Sequence, residues 1–255
     1  MTTLQNKTAL VTGASRGIGR STAAALARAG AHVLVHYGRS AKEAESLASE
    51  IQAKGGRANA ISADLGTPNG AALLAKQVRS IVGNRLDVLV LNAGISKVAR
   101  IADYTVEDFD NLFATNVRSP FFLVQQLLPV LGGGSNIIVI SSIGAHAVVG
   151  KPGVDSPSIL AYASTKGALE TLVKNWAAIL GPLGIRVNAV APGVIDTDMS
   201  NFTKTEAGRE VALGMQALKR IGKPEDVADV VAFLASEAAR WITGASIPVD
   251  GGSKL

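Results

Sequence analysis

The chain has 255 residues, 47% hydrophobic and 18% charged, enough to bury a large core and far from the composition of a disordered segment. It contains no cysteine, which excludes disulfides, thiolate metal sites and a cysteine nucleophile. Its formal net charge of +5 comes from Lys and Arg spread along the whole chain. The basic runs and interleaved aromatics of a nucleic-acid footprint are missing, although a mild positive field would still draw an anionic cofactor.

Met1-Thr2-Thr3-Leu4-Gln5-Asn6-Lys7 lacks the apolar core of a signal peptide. No apolar run approaches the roughly 18–20 residues of a membrane span, so a cytoplasmic protein without a membrane partner is expected. Strand-like apolar runs then alternate with helix-length segments. The first pairs are strand Thr8–Val11 with helix Gly17–Ala29, strand His32–His36 with helix Ser40–Lys54, and strand Ala58–Ser62 with helix Asn69–Val82. Next come strand Leu86–Leu91 with helix Val106–Leu131, strand Asn136–Ile140 with helix Ile159–Leu180, strand Arg186–Val190 with helix Pro224–Ala235, and strand Ser246–Val249. Near-continuous Val/Ile/Leu runs suit parallel strands covered on both faces. The alternation predicts an α/β fold: a Rossmann-type doubly wound parallel sheet of about seven strands with helices on both faces. Without a linker, repeat or low-complexity stretch, residues 1–255 read as one domain. Two segments break the rhythm, one at about 143–161 and a polar, helix-like one at about 195–220. Both follow carboxyl ends of predicted strands, where open α/β sheets bind ligands.

Gly13, Gly17 and Gly19 stand directly after the first strand as G-x-x-x-G-x-G. A side chain there would hold the backbone off a pyrophosphate, and the helix beginning near Gly17 turns its unpaired N–H groups and positive dipole end toward phosphate. The end of the second strand selects the cofactor. NAD readers commonly place an acid there for the ribose 2′-OH. This chain reads Val35-His36-Tyr37-Gly38-Arg39-Ser40, with no carboxylate before Glu43. Arg39 and Arg16 suit a 2′-phosphate through charge-assisted bonds, which predicts NADP(H). Ser40-x-x-Glu43 also reads as a capping box, a role compatible with phosphate binding.

Tyr162 and Lys166 are spaced i, i+4 and share a helix face. With the glycine loop upstream they read as a proton-transfer pair of a hydride-transfer enzyme. Lowering a phenol from about 10 to about 7 takes roughly 4 kcal/mol, the order of energy a cation about 4 Å away supplies at an effective dielectric near 20.

These motifs together resemble the short-chain dehydrogenase/reductases, in their single-domain branch, essentially end to end. Thr12-Gly13-x-x-x-Gly17-Ile18-Gly19 is similar to the family's cofactor motif, and Asn92-Ala93-Gly94 to the motif after its fourth strand. Asn116, Ser142, Tyr162 and Lys166 match the catalytic tetrad; Val249-Asp250-Gly251-Gly252 resembles the C-terminal signature. Ser142, at the strand end, is preferred to its neighbour Ser141. The resemblance implies a cofactor set of Gly13, Ser15, Arg16, Gly17, Ile18 and Gly19, then Tyr37, Arg39 and Ser40 at the second strand. It adds Asp64 and Leu65 against adenine, Asn92, Ala93 and Gly94, the Tyr162–Lys166 pair, and Pro192, Gly193, Ile195 and Thr197 around the nicotinamide carboxamide. It further implies that Lys166 bonds the nicotinamide ribose and that Asn116 anchors a relay water. Many members have a shorter Ser–Tyr gap than this chain, in which residues 143–161 intervene; that insertion is expected over the substrate pocket.

In reduction Tyr162 would protonate the carbonyl oxygen while Ser142 hydrogen-bonds the same atom. Ser142, Gly144, His146, Tyr162, Met199 and Phe202 are the expected substrate contacts, although a plain loop role for His146 stays open. Val148, Val149, Pro152, Val154, Ile159 and Leu160 add an apolar wall, which suggests a neutral ketone or secondary alcohol among small or medium free carbonyl compounds. His32 and His36 read as structural, Trp176 and Trp241 as core or interface, and no histidine–carboxylate cluster suggests a metal site. The motifs also resemble 3-oxoacyl-carrier-protein reductases, but of the two helices that flank the site only Lys174 offers a basic group. An NADPH-binding sensor is the non-enzyme alternative. A dehydratase or epimerase of the longer branch is disfavoured by the short C-terminal portion and the glycine spacing. Excess apolar surface around Phe121–Leu131 and Leu169–Leu180, together with family habit, predicts a homotetramer.

Overall fold

A computed structural model describes residues 3–149 and 153–253; Pro152 of the expected apolar wall lies outside them. In chain order the elements are β1 (Thr8–Val11), α1 (Gly17–Arg28), β2 (His32–Tyr37), α2 (Ala41–Ala53), β3 (Arg57–Ser62), α3 (Gly70–Val82) and β4 (Val88–Leu91). There follow α4 (Val106–Phe113), α5 (Ser119–Leu127), β5 (Asn136–Ile140), α6 (Leu160–Leu180), β6 (Arg186–Pro192), α7 (Glu206–Gly214), α8 (Pro224–Ala235) and β7 (Ser246–Val249).

The sheet follows from the two-residue alternation of strand side chains. Ala9 and Val11, Val33 and Val35, Val88 and Val90, and Ile138 and Ile140 point to one face, where α1, α2 and α8 cover them. Leu10, Leu34, Leu89 and Leu91, and Ile137 and Val139 point to the other, against α3, α5 and α6. With both faces buried the inner strands have no need of a polar side, whereas the edge strands β3 and β7 keep exposed positions; all pairings are parallel. The order is β3-β2-β1-β4-β5-β6-β7. It reverses direction between β1 and β4, so the chain leaves their carboxyl ends in opposite directions and opens a crevice there.

The helix expected over Val106–Leu131 is interrupted. Pro120 has no N–H to return to the carbonyl of Asn116 four residues back. The chain widens into a π-turn over Ala114–Arg118, closed by Ser119 N–H on the Ala114 carbonyl. A 3-10 turn, Leu128–Val130, ends the segment. Within 195–220 the polar sequence forms a 3-10 stretch, Asp198–Lys204, and α7, which Thr205 caps by accepting the Gly208 N–H. Ser40 takes the N-cap position of α2, but its side chain makes no cap bond, so the expected capping box does not form.

The amino edge of the sheet, opposite the crevice, is tied at Asp87, which is 5% exposed. Its carboxylate accepts from Thr8 N–H at 2.9 Å, Arg85 Nε at 2.8 Å and Lys7 Nζ at 3.2 Å. Burial pushes the group up, but these bonds outweigh it and hold the pKa below the usual carboxylate value. A depressed folded pKa contributes stability above the ordinary carboxylate range that is lost as pH falls through the folded value. Asp87→Ala is expected to cost about 2 kcal/mol at neutral pH, discounted for the exposed cations. Urea unfolding should show that gap closing in acid, with cofactor affinity unchanged; a gap constant with pH would assign the loss to packing alone.

Candidate active site

The crevice is assembled where ladder hydrogen bonds stop and side chains take over. Thr12 Oγ1 donates to Val90 O at 3.2 Å and accepts the N–H groups of Asn92 at 2.9 Å and Ala93 at 3.0 Å. Asn92 Nδ2 returns two bonds, to Thr12 O at 2.8 Å and Gly13 O at 3.0 Å. On the other flank His36 Nδ1 accepts the Gly13 N–H at 3.0 Å, and its Nε2 lies 3.0 Å from Ala63 O. A backbone N–H can only donate, so Nδ1 is bare and the ring proton sits on Nε2. Burial pushes the His36 pKa down to about 4, against a backbone bond from Ala63 that raises it, so the ring stays neutral at physiological pH.

This grip sets a left-handed turn. Gly13 has φ +62°, and a Cβ there would stand 2.9 Å from Ala93 Cα. Gly17 has φ +53° and faces the Thr197 methyl, and a Cβ on Gly19 would collide with Gly13 O and Asn92 Nδ2. The result is a cradle with bare backbone at Gly13, Gly17 and Gly19, at the start of α1, whose N-cap Arg16 offers no side-chain bond to the leading N–H groups. Such a terminus fits a phosphate. Ser15, Arg16 and Ile18 belong to the same turn, and Leu65 is buried at the end of the segment after β3. Arg16 and Arg39 each stay beside an acid, Asp198 at 3.5 Å and Asp64 at 3.8 Å, with the guanidinium side chains 70% and 92% exposed. Contacts this long and wet hold an arginine weakly. The Ser40 hydroxyl, free of capping duty, adjoins Arg39 in sequence, and the half-buried Tyr37 stands two residues before that arginine.

Across the crevice, Pro192 ends β6 and Gly193 N–H bonds Val249 O at 3.0 Å. A Cβ on Gly193 would meet Asp250 Cα at 2.7 Å, so the backbone runs against the C-terminal segment. Ile195 is buried and bridged to Gly222, which holds Thr197 opposite Gly17.

The tetrad residues meet at the carboxyl edge. Ser142 follows β5; its Oγ accepts the Gly144 N–H at 3.1 Å, and its hydroxyl acts on the Tyr162 phenol. Ser141 is buried, its hydroxyl unpartnered within the protein. Lys166, one turn after Tyr162 on α6, is 4% exposed; its Nζ donates to Ile140 O at 2.8 Å and lies 5.4 Å from the Tyr162 ring centre. Burial pushes the Lys166 pKa down to about 8, opposed by the charge of Glu170 one further turn along. Burial pushes the Tyr162 phenol up to about 12, with the Ser142 bond pulling the other way. The expected depression of Tyr162 by Lys166 is therefore absent from the protein alone. The ammonium sits over the ring on a carbonyl, and removal from water favours the neutral phenol.

Asn116 is fully buried in the π-turn. Its Oδ1 accepts Ile95 N–H at 2.9 Å, and its Nδ2 donates to Ile95 O at 2.9 Å and Thr165 Oγ1 at 3.1 Å. With all three bonds spent, the side chain braces the Asn92-Ala93-Gly94 segment against α6. Gly94 keeps this corner open, since a Cβ there would stand 3.3 Å from Asn116 Oδ1 and 3.7 Å from Lys166 Nζ.

Around the site, Val148, Val154, Leu160, Met199 and Phe202 are exposed apolar side chains. His146 is turned onto Glu170, 3.2 Å away, whose carboxylate also accepts from Ser246 Oγ at 2.7 Å. Ala99 and Ser158 exchange backbone bonds, and the Tyr104 hydroxyl lies 3.0 Å from Lys97 O and 3.1 Å from Ser158 O. Tyr104 and Glu170 escaped the sequence reading as site-building residues, Thr12 was read only as the first residue of the cofactor motif, and His36 was read as structural. The one available signal was polarity at positions where the flanking pattern is apolar.

A family model described as enoyl-(acyl carrier protein) reductase matches residues 13–254. Versicolorin reductase of Emericella nidulans is 41% identical over 262 residues, covering 98% of this chain and 96% of its own. A short-chain dehydrogenase from Burkholderia cenocepacia J2315 in complex with NADP superposes with a TM-score of 0.92 at 37% identity, covering 99% of each chain. Landomycin C-6 ketoreductase LanV with bound NADP and rabelomycin superposes with a TM-score of 0.87 at 39% identity, covering 100% of this chain and 98% of that one.

Proposed function

The chain belongs to the short-chain dehydrogenase/reductase family, and from that premise we propose that it reduces a neutral ketone to a secondary alcohol with Tyr162 as the proton donor. It is an NADP-dependent oxidoreductase of that family, related throughout its length to ketoreductases. The observation that carries the Tyr162 assignment is the buried Lys166, 5.4 Å from the ring centre, with the Ser142 hydroxyl acting on the phenol, beside a glycine cradle. The cradle from Gly13 to Gly19 would hold the diphosphate; Arg16, Arg39 and Ser40 the 2′-phosphate; Asp64 and Leu65 the adenine. Asn92 to Gly94, Pro192, Gly193, Ile195 and Thr197 would frame the nicotinamide end, and Lys166 its ribose.

When bound, NADPH supplies the hydride that reaches the carbonyl carbon. Ser142 would donate to the carbonyl oxygen and, with Tyr162, bear the charge that develops there. The high phenol pKa keeps Tyr162 protonated through neutral pH, the form an acid needs. A secondary alkoxide is more basic than a phenolate, so the proton passes from Tyr162 Oη to that oxygen downhill. Lys166, charged below its pKa of about 8, would stabilise the phenolate left behind. The exposed apolar side chains Val148, Val154, Leu160, Met199 and Phe202 favour a neutral apolar ketone, with Ser142, Gly144 and Tyr162 at the reacting carbonyl.

Among the described residues no helix is long and apolar enough to cross a membrane. The chain is read as one cytoplasmic domain acting as a homotetramer. Phe121 and Phe122 on α5, Ile179 on α6 and the 97% exposed Trp241 beside the C-terminal strand support association.

Tyr162→Phe should lower turnover by roughly 10²–10⁴-fold while NADPH affinity and unfolding midpoint stay unchanged; undiminished reduction would remove Tyr162 from the chemistry. Arg39→Ala should raise the Kd for NADPH about tenfold and leave NADH unaffected, since only the former carries the 2′-phosphate. Equal losses would defeat that assignment. Rates across free ketones and 3-oxoacyl thioesters test the substrate class, and a strong thioester preference would replace the free-ketone reading. Sedimentation should give four chains, and a monomer would reject the tetramer.

A further inference from the structure

His36 is a buried polar side chain near the end of a strand whose pairing is complete without it. The β1–β2 register runs from Thr8↔His32 to Val11↔Val35 through backbone groups alone, and β2–β3 continues to Tyr37↔Ser62. A leucine would fill the same space beside Leu34 on that face without the cost of burying two polar atoms. Both ring bonds instead leave the strand. One goes to the N–H of Gly13, the first glycine of the cradle, and the other to the carbonyl of Ala63, immediately before Asp64 and Leu65. The His36 carbonyl adds a third tie, accepting Ala14 N–H at 2.8 Å.

We infer that His36 is a positioning residue for the dinucleotide: in its neutral Nε2–H tautomer it fixes the Gly13 turn relative to the segment after β3, and so sets where the diphosphate and adenosine ends bind. The inference rests on the cofactor reading above. Asn92 holds the carbonyl of Gly13 and His36 holds its N–H, so the peptide planes on both sides of this left-handed residue are pinned. Releasing one leaves the turn with a rotational freedom that must be lost again each time cofactor binds. The tautomer persists because the imidazole is 2% exposed and its ring nitrogens meet only backbone. The ionisable groups on the adjoining segments, Arg39 and Asp64, face each other at 3.8 Å. Burial favours the same uncharged form.

The two nitrogens can be imitated separately. Asparagine places its amide oxygen near the position of Nδ1 but does not reach Ala63; glutamine reaches toward the Nε2 position; leucine does neither. NADPH Kd by fluorescence titration, KM and kcat for reduction, and the urea midpoint should be measured for wild type, His36→Asn, His36→Gln and His36→Leu. For His36→Leu a rise of about tenfold in NADPH Kd and KM is expected, with kcat at saturating cofactor and ketone KM within about twofold of wild type. His36→Asn should recover most of the affinity and His36→Gln little of it. A urea midpoint that falls in all three variants with NADPH affinity intact would overturn the inference in favour of a purely structural histidine. Equal weakening by Asn and Leu would overturn the assignment to the Gly13 bond. Failure of the wild type itself to bind NADPH would instead strike the cofactor reading beneath both.

Discussion

Everything at the carboxyl edge of this sheet depends on how the peptide groups around Gly13 are held. A parallel ladder ends where its strands diverge, and here the ends of β1, β2 and β4 diverge at one place. Thr12, His36 and Asn92 continue the pairing with side chains, and between them they occupy both the N–H and the carbonyl of Gly13. Each such bond adds only about 1 kcal/mol net, but a partner left unmet in this buried corner costs roughly 1–3 kcal/mol. The grip is therefore collective, and the start of α1 and its open N–H groups inherit their aim from it.

The second organising element is α6. Tyr162, Lys166 and Glu170 follow one another at i, i+4 along a single 21-residue helix, so their spacing is set by helix geometry rather than by loops. Burial acts oppositely on the first two in charge and alike in effect, since it favours a neutral phenol and weakens the ammonium. Glu170 restores part of the lysine's proton affinity and at the same time anchors His146 and Ser246. One carboxylate thus links the charge state of Lys166 to the placement of the loop after Ser142 and the first residue of β7.

The strands were legible because short runs of Val, Leu and Ile, apolar at odd and even positions alike, suit a parallel strand buried on both faces; β1, β5 and β7 match the expected limits residue for residue. The glycine cradle was legible because Gly13 and Gly19 occupy places no Cβ can. What stayed hidden lies in interactions between segments far apart in the chain. His36 meets Gly13 and Ala63, and His146 meets Glu170, through contacts that no local pattern encodes. Ser40 and Glu43 have a capping-box spacing, but Ser40, at φ −92° and ψ 66°, makes no cap bond. The interruption of Val106–Leu131 was written in Pro120, but apolar periodicity on either side masked it. The helix-like character of 195–220 was legible, but a short polar stretch did not mark where α7 begins and ends within it.

The π-turn at Ala114–Arg118 has a consequence for how this chain can change over generations. It holds one residue more than a regular helix needs and absorbs it within one widened turn, so the helices on either side keep their phase. Leu123, Val124 and Leu127 therefore still face the core, while the turn carries Asn116 to Ile95 and Thr165. Deleting one residue here would close the turn into ordinary helix, leave α5 on the sheet and withdraw Asn116 alone. The bulge thus uncouples the site from the fold: at this point the chain could lose its bracing asparagine without losing its core.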